Sequence, residues 1–359
     1  MHASRLSYYD RIKANVPEPM QVMIPPVAPG PRFKFGGQAA AKANPDQVAL
    51  ANALLEKLKS RADLGQVRGL LNEYAMGANA AGGADGDGGG DGAAIDEERQ
   101  RQAREVLFQC VLLMGSKSFS HMMNITERCL PLLKEYTVES ESKLQVIRII
   151  EAFWFENTQF MGIIIDRFLT YRLIEAVNLV QWLFDEKHVP HFDRFHYWII
   201  LHRSISKMIS KTRELHQRLV QVREAHAANE ARRMTDAMDE ELEQQRAEKK
   251  GIAKLESAYD LTLRDKHQVL IAVFQSFARV LTLKLAEYDH QGVDASTQPW
   301  LHWTMGWMRE FGRYYYKELE SLWPTLSNSI PANEVDPRVM QEFESIHLLI
   351  MDQQAPLHS

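Results

Sequence analysis

The sequence predicts an all-α protein, and three observations predict it. Apolar residues recur three and four positions apart through most of the chain. The β-branched residues fall into those same helical periods instead of alternating as strands require. Successive segments with one broad apolar face are joined by very short connections, the pattern of antiparallel helix pairs stacked side by side, as in HEAT-type repeats. At 359 residues and 45% apolar, the chain can bury a substantial core and more than one structural unit.

Residues 1–45 contain MIPPVAPGPRFKFGG, whose closely spaced prolines oppose helix and favour extended or polyproline II backbone. This lead-in is either a plain linker or, through the alternating Phe33 and Phe35, a short extended piece laid on a surface. Residues 46–75 predict a short helical pair. Asn44 or Asp46 can cap its first helix, Pro45 suits the first helical position, and Val48, Leu50, Leu54, Leu55 and Leu58 form one stripe. Residues 76–95 are dominated by Gly, Ala and Asp and predict a flexible acidic linker, because glycine at that density loses too much backbone entropy on ordering. Asp85 and Asp87 begin like a calcium loop, but Gly89 and Asp96 stand where further ligands are needed.

Residues 96–355 predict the main helical-repeat domain. Asp96, Glu97 and Glu98 favour a helix start, Gly115 and Ser116 break the apolar period, and Pro131 should kink or end the following helix. Three further apolar-faced segments lead to the longest helical pattern, Phe192 to about Arg223. There Trp198, Leu201, Ile205, Met208, Thr212, Leu215, Leu219 and Val222 form a heptad seam, answered by Ile252, Leu255 and Tyr259 on a return arm running to Tyr288. This predicts a projecting antiparallel coiled-coil hairpin inserted at about 203–260, with an arm roughly 45 Å long; one long straight surface helix is the alternative. Pro299 to Trp323 holds four of the seven tryptophans, which either fill a groove in the stack or form a binding face. Pro324 is expected to end that helix, and Pro337 to Met351 to close the domain.

The net charge of −5 excludes a chain that is basic as a whole, so any contact with nucleic acid falls to local patches. The candidate patch is Arg203, Lys207, Lys211, Arg213 and Arg218 on the first arm of the hairpin. Cys110 and Cys129 lie in apolar helical patterns and read as buried thiols. No run of eighteen apolar residues and no apolar leader occur, so no membrane partner is expected. Phosphate-loop, dinucleotide, HExxH, CxxC and GxSxG motifs are absent, and His188, His191 and His196 straddle a turn without a Cys or Glu to complete a site. No cofactor, metal or catalytic activity is expected.

The ordered segments GSKSFSHMMNITERCLPLLKEY, ESESKLQVIRIIEAFW and LVQWLFDEKHVPHFDRFHYWIILHRSISKMISK resemble the C-terminal third of the large subunit of the nuclear cap-binding complex. SYYDRIKANVPEPMQ and PWLHWTMGWMREFGRYYYKEL extend the resemblance, so that it covers Ser7 to Ile350. It implies a stack of helix pairs like the middle domain of translation initiation factor 4G, with an acidic insert and a projecting coiled coil. It implies a nuclear scaffold that shuttles to the cytoplasm with its complex. Its partner would be a small RNA-recognition-motif subunit that holds the 7-methylguanosine cap, with capped RNA reached through that subunit, and it would recruit factors for splicing, export and decay. No cap-contacting residue carries over to this chain. The family's first two helical domains and localisation segment have no counterpart here, as expected of a truncated gene model, a fragment or one piece of a split protein. The competing reading is a free-standing helical adaptor that binds RNA directly through the basic coiled-coil arm.

Overall fold

A computed structural model describes residues 2–25, 30–77, 97–233 and 239–352. The predicted linker at 76–95 and the calcium-loop positions therefore lie almost wholly outside the described residues, as does part of the hairpin tip. Among the described residues there are fifteen α-helices and no strand. The chain divides into two compact units, Met1–Asn178 and Leu179–Ser359.

The first unit starts with helix, which corrects the extended lead-in. Helix α1 spans His2–Asn15, α2 Glu18–Gln21 and α3 Gly37–Ala43. The opposing prolines begin only at Pro17, so the segment before them is free to coil, and α3 is alanine-rich. Between α2 and α3 the described residues 30–36 form neither helix nor strand and are tied to later parts of the chain. Arg32 N–H donates to the carbonyl of Phe153 at 2.8 Å, Lys34 Nζ pairs with Glu105 at 2.7 Å, and Phe35 is 3% exposed beside Phe33.

Three helix pairs follow: α4 (Pro45–Lys59) with α5 (Leu64–Met76), α6 (Glu97–Gly115) with α7 (Phe119–Glu135), and α8 (Ser140–Phe153) with α9 (Thr158–Thr170). The first helices of successive pairs pack together, α4 on α6 and α6 on α8, and α5 packs on α7. That is the layering of a helical-repeat stack. The pair at 46–75 is thus the first layer of the stack and not a separate piece; Leu50, Leu54, Leu58, Val67 and Leu71 are buried. Local chemistry sets the turns. Asp63 caps α5 through Gly65 N–H, Ser118 caps α7 through His121 N–H, and Asn157 caps α9 through Phe160 N–H. At the α6–α7 turn a Cβ on Gly115 would lie 2.8 Å from the Cα of Met122, so only glycine permits that approach. Pro131 sits inside α7, which ends one turn later at Glu135. Arg104 Nε donates to the carbonyl of Tyr136 within the second pair, and Arg128 to that of Leu58 in the first pair, so helix-end carbonyls are satisfied both within and across layers.

The division between the units falls within α10 (Ala176–Leu183). The second unit is built on a long hairpin, α11 (Phe195–Arg233) and α12 (Asp239–Gln291), against which α13 (Pro299–Tyr314), α14 (Tyr316–Asn328) and α15 (Pro337–Asp352) pack. Helix α11 begins at Phe195 and not at Phe192. The carbonyl of Phe192 instead accepts the indole N–H groups of Trp198 and Trp303, each at 2.7 Å, and this anchors the chain in a turn. The segment 299–323 is two helices. The break comes at Tyr315, which is buried with its hydroxyl against His202, and Pro324 lies inside α14 instead of ending a helix. Tertiary anchoring of Tyr315 overrides a sequence that is helical on both sides.

The core of this unit is aromatic. The Trp198 indole is fully buried and stacks on Trp307 at 4.9 Å and on Phe277 at 5.6 Å. Phe274 meets Phe343 of α15 at 6.0 Å. Helix α12 supplies Val269, Leu270, Val273, Phe274, Phe277 and Leu281 to this interior. An eighteen-residue window within Arg246–Gln291, with mean hydropathy 1.7, is by length and composition apolar enough to cross a membrane; half of it is buried within the fold.

Candidate partner-binding surfaces

The hairpin arms run in opposite directions with a seven-residue step. Arg223 pairs with Glu256 at 2.6 Å and Glu230 with Lys249 at 3.6 Å, while His216 lies 5.3 Å from Tyr259. The seam residues Trp198, Leu201, Ile205, Thr212 and Leu219 are buried, and Val222 is already 37% exposed. Beyond Leu219 and before Val269 no described residue is buried. The outer part of the hairpin therefore stands apart from the core of its unit.

All five residues of the predicted basic patch lie on α11. At 100° per residue, Arg203, Lys207, Lys211 and Arg218 fall within an arc of roughly 80°, and Arg213 points elsewhere. Arg213 reaches Glu318 at 3.6 Å, and Lys211 reaches Glu214 at 3.6 Å. Lys207 is also engaged within the fold. Arg203 and Arg218 each line a recess.

The first recess is an open groove of about 490 Å³ between α11 and α13, lined by Phe195, His202, Arg203, Trp307, Glu310 and Tyr314 among others. Phe195 is 59% exposed and Tyr314 55%. The buried indole N–H of Trp307 has no hydrogen-bond partner. Burial lowers the pKa of His202, whose Nδ1 lies 2.9 Å from the Tyr315 hydroxyl, and burial raises that of Tyr315. The aromatic-rich segment thus fills the core through Trp307 and Phe311 and also presents rings to solvent. The second recess, of about 390 Å³, lies between the outer arms and is lined by Arg218, Val222, Gly251, Lys254, Leu255 and Ala258. Neither recess was readable as a unit from sequence, since each joins residues tens of positions apart. The traces they left were aromatic density and a lone glycine in a helical pattern.

The other residues weighed from sequence are dispersed. His188 is buried with its Nδ1 against the carbonyl of Trp182, His191 lies exposed in a 3-10 turn, and His196 packs on the Tyr197 ring. Cys110 and Cys129 are both fully buried, and burial pushes both thiols up, away from the reactive thiolate. Among the described residues no group of three or more His, Cys, Asp or Glu is placed to hold a metal ion.

With the helix-pair layers in view, the comparison with known proteins is direct. Residues 41–320 match the protein family described as MIF4G like. The chain belongs to that family. It is similar to nuclear cap-binding protein subunit 1 of Anopheles gambiae, 24% identical over 96% of this chain and 43% of that protein. It is similar also to the same subunit of Aedes aegypti, 25% identical over 96% and 43%, and of Xenopus tropicalis, 23% identical over 95% and 41%. The chain therefore spans less than half the length of these relatives. Both findings agree with the sequence resemblance and with the all-α stack it implied.

Proposed function

We propose that this MIF4G-like chain is the C-terminal helical part of a large-subunit scaffold in the nuclear mRNA cap-binding complex. It has no catalytic role. It supports a small RNA-recognition-motif subunit that holds the 7-methylguanosine cap, and it recruits RNA-processing and export factors. It works in the nucleus and travels with its complex to the cytoplasm. The observation that carries this reading is the similarity of 96% of the chain to proteins named nuclear cap-binding protein subunit 1. The site chemistry is consistent with it. Cap recognition requires two aromatic planes with an open slot for a cationic base. Among the described residues the parallel ring pairs, Trp198 with Trp307, Trp198 with Phe277, Phe192 with Trp300 and Trp323 with His347, already stack on one another.

Direct RNA binding by the basic arm is the weaker reading. Three of its five cations are engaged with other groups, and the remaining two, Arg203 and Arg218, line recesses with apolar walls. In the scaffold reading the hairpin at about 203–260 is an appendage for recruited factors, and the stack carries the small subunit.

Isothermal titration tests the proposal. The purified chain should give no heat with a cap analogue, should bind the small subunit, and should bind it more weakly than a full-length large subunit does. Micromolar cap binding by this chain alone would defeat the scaffold reading. Failure to bind the small subunit would favour the free-standing adaptor. In that case uncapped RNA should bind with a steep salt dependence, because phosphate contacts release counterions.

A further inference from the structure

We infer that the outer hairpin is a docking surface for an acidic amphipathic helix of a partner protein, seated over the recess at Gly251. Three features point to that occupant. The first is shape. Gly251 lies on the exposed face of α12, where an added Cβ would meet nothing within 4 Å, so the missing side chain leaves a pit between the arms. Val222 and Leu255 line it, and Val222 is 37% exposed. An apolar hollow between two antiparallel helices is the hole into which a leucine knob of a third helix fits.

The second feature is the rim. Arg218 on one arm and Lys254 on the other flank the hollow, and neither has a carboxylate partner among the described residues. A helix lying along the groove with leucine in the pit would place its flanking heptad positions beside these two cations. Glutamate there would complete two charge pairs at the edge of an apolar contact. The third feature is the field. Residues 203–223 and 246–267 carry twelve Lys and Arg against five Asp and Glu, in a chain whose net charge is −5. The two stretches flanking the recess are basic, whereas residues 224–245 between them carry seven Asp and Glu against two Lys and Arg, and the rest of the molecule also has an excess of acid. An acidic helix is therefore attracted to the arms and repelled elsewhere. RNA would satisfy the cations but has no aliphatic group to fill the hollow, and the residues lining the pit offer no aromatic ring for a base to stack on.

The test uses the whole chain and a fluorescein-labelled four-heptad peptide with leucine at the first and fourth positions of each heptad and glutamate beside them. Such a peptide repels itself at neutral pH and stays monomeric. Anisotropy should show saturable binding, and replacing its leucines by alanine should abolish it. Gly251→Met fills the pit and should weaken binding about tenfold or more. It should leave the melting temperature unchanged or higher, since methionine is the better helix former. Arg218→Glu combined with Lys254→Glu should give a similar loss by a separate route and guards against a misfolded filling variant. The inference is overturned if the peptide does not bind or if binding ignores Gly251→Met. It is also overturned if a single-stranded RNA oligonucleotide, and not the peptide, binds through Arg218 and Lys254 with a steep salt slope.

Discussion

Helix α6 and the outer hairpin use the same apolar spacing to opposite ends. In α6, Ala103, Val106, Leu107, Phe108, Cys110, Val111 and Leu112 are all fully buried, because α4, α5, α7 and α8 surround it. In the hairpin beyond Leu219 the apolar stripe is a single seam, and no described residue there is buried. A helix that is apolar most of the way round is held by its neighbours; one with a narrow seam is held only by its partner arm. The first arrangement fixes the fold. The second leaves charged faces and hollows in solvent, where partners can reach them. Substitutions in the two regions should therefore differ in cost by several-fold.

The largest effect belongs to the stack. Trp154, the residue that ends α8, is 2% exposed and packs on Phe153 at 5.2 Å and Phe160 at 4.2 Å. Trp154→Ala should destabilise the first unit by about 3–5 kcal/mol, measured by urea unfolding with hydrogen exchange read in α8 and α9. A loss below about 1 kcal/mol would remove Trp154 from the core. Next is Gly115→Ala. Its Cβ would meet the backbone of Met122, which cannot swing aside as a side-chain end could, so about 1–3 kcal/mol is expected despite alanine's better helix propensity. A stabilised variant would show that α7 can shift freely against the end of α6.

The positions that sequence revealed and those that it hid follow the same division. Helix class, the break at Gly115 and the heptad seam are local, so their spacing was legible. The four-residue rhythm of Arg203, Lys207 and Lys211 was legible for the same reason, although the engagement of Lys211 with Glu214 and of Arg213 with Glu318 was not. The break at Tyr315 depends on a hydroxyl meeting His202 more than a hundred residues away, and Pro324 is tolerated inside a helix; neither follows from local pattern. Helix α1 carries no marked apolar stripe and is followed at once by prolines from Pro17 on, so local pattern pointed away from helix there. The groove at Phe195 and Tyr314 and the pit at Gly251 each require two helices to be brought together, so composition could only hint at them.

A smaller effect is expected from the ion pair that fixes the register of the hairpin. Arg223 and Glu256 are 58% and 36% exposed, so water and salt screen them. Arg223→Ala should cost about 0.2–1 kcal/mol in local opening of the arms, read by hydrogen exchange in α11 and α12, and most of that should vanish at high salt. A loss of several kcal/mol, or one indifferent to salt, would mean that the outer arms are packed more like α6 than their exposure indicates.

The smallest effect on the core should come from the largest change in sequence. Removing Val222 to Ile252 and joining the arms by a short glycine-rich turn deletes thirty-one residues, yet none of those described is buried. The retained parts of α11 and α12 still hold Trp198, Leu201, Ile205 and Leu219 against Val269, Leu270, Val273 and Phe277. Sites without shared contacts behave additively. The melting of the aromatic core in the second unit should therefore stay within about 0.5 kcal/mol of the parent, followed by the fluorescence of Trp198 and Trp307. Binding of the acidic-helix probe should disappear in the same protein. If the core loosened while the probe still bound, the hairpin would be a structural brace and its recess incidental; a stable core that has lost the probe separates the part of this chain that folds from the part that recruits.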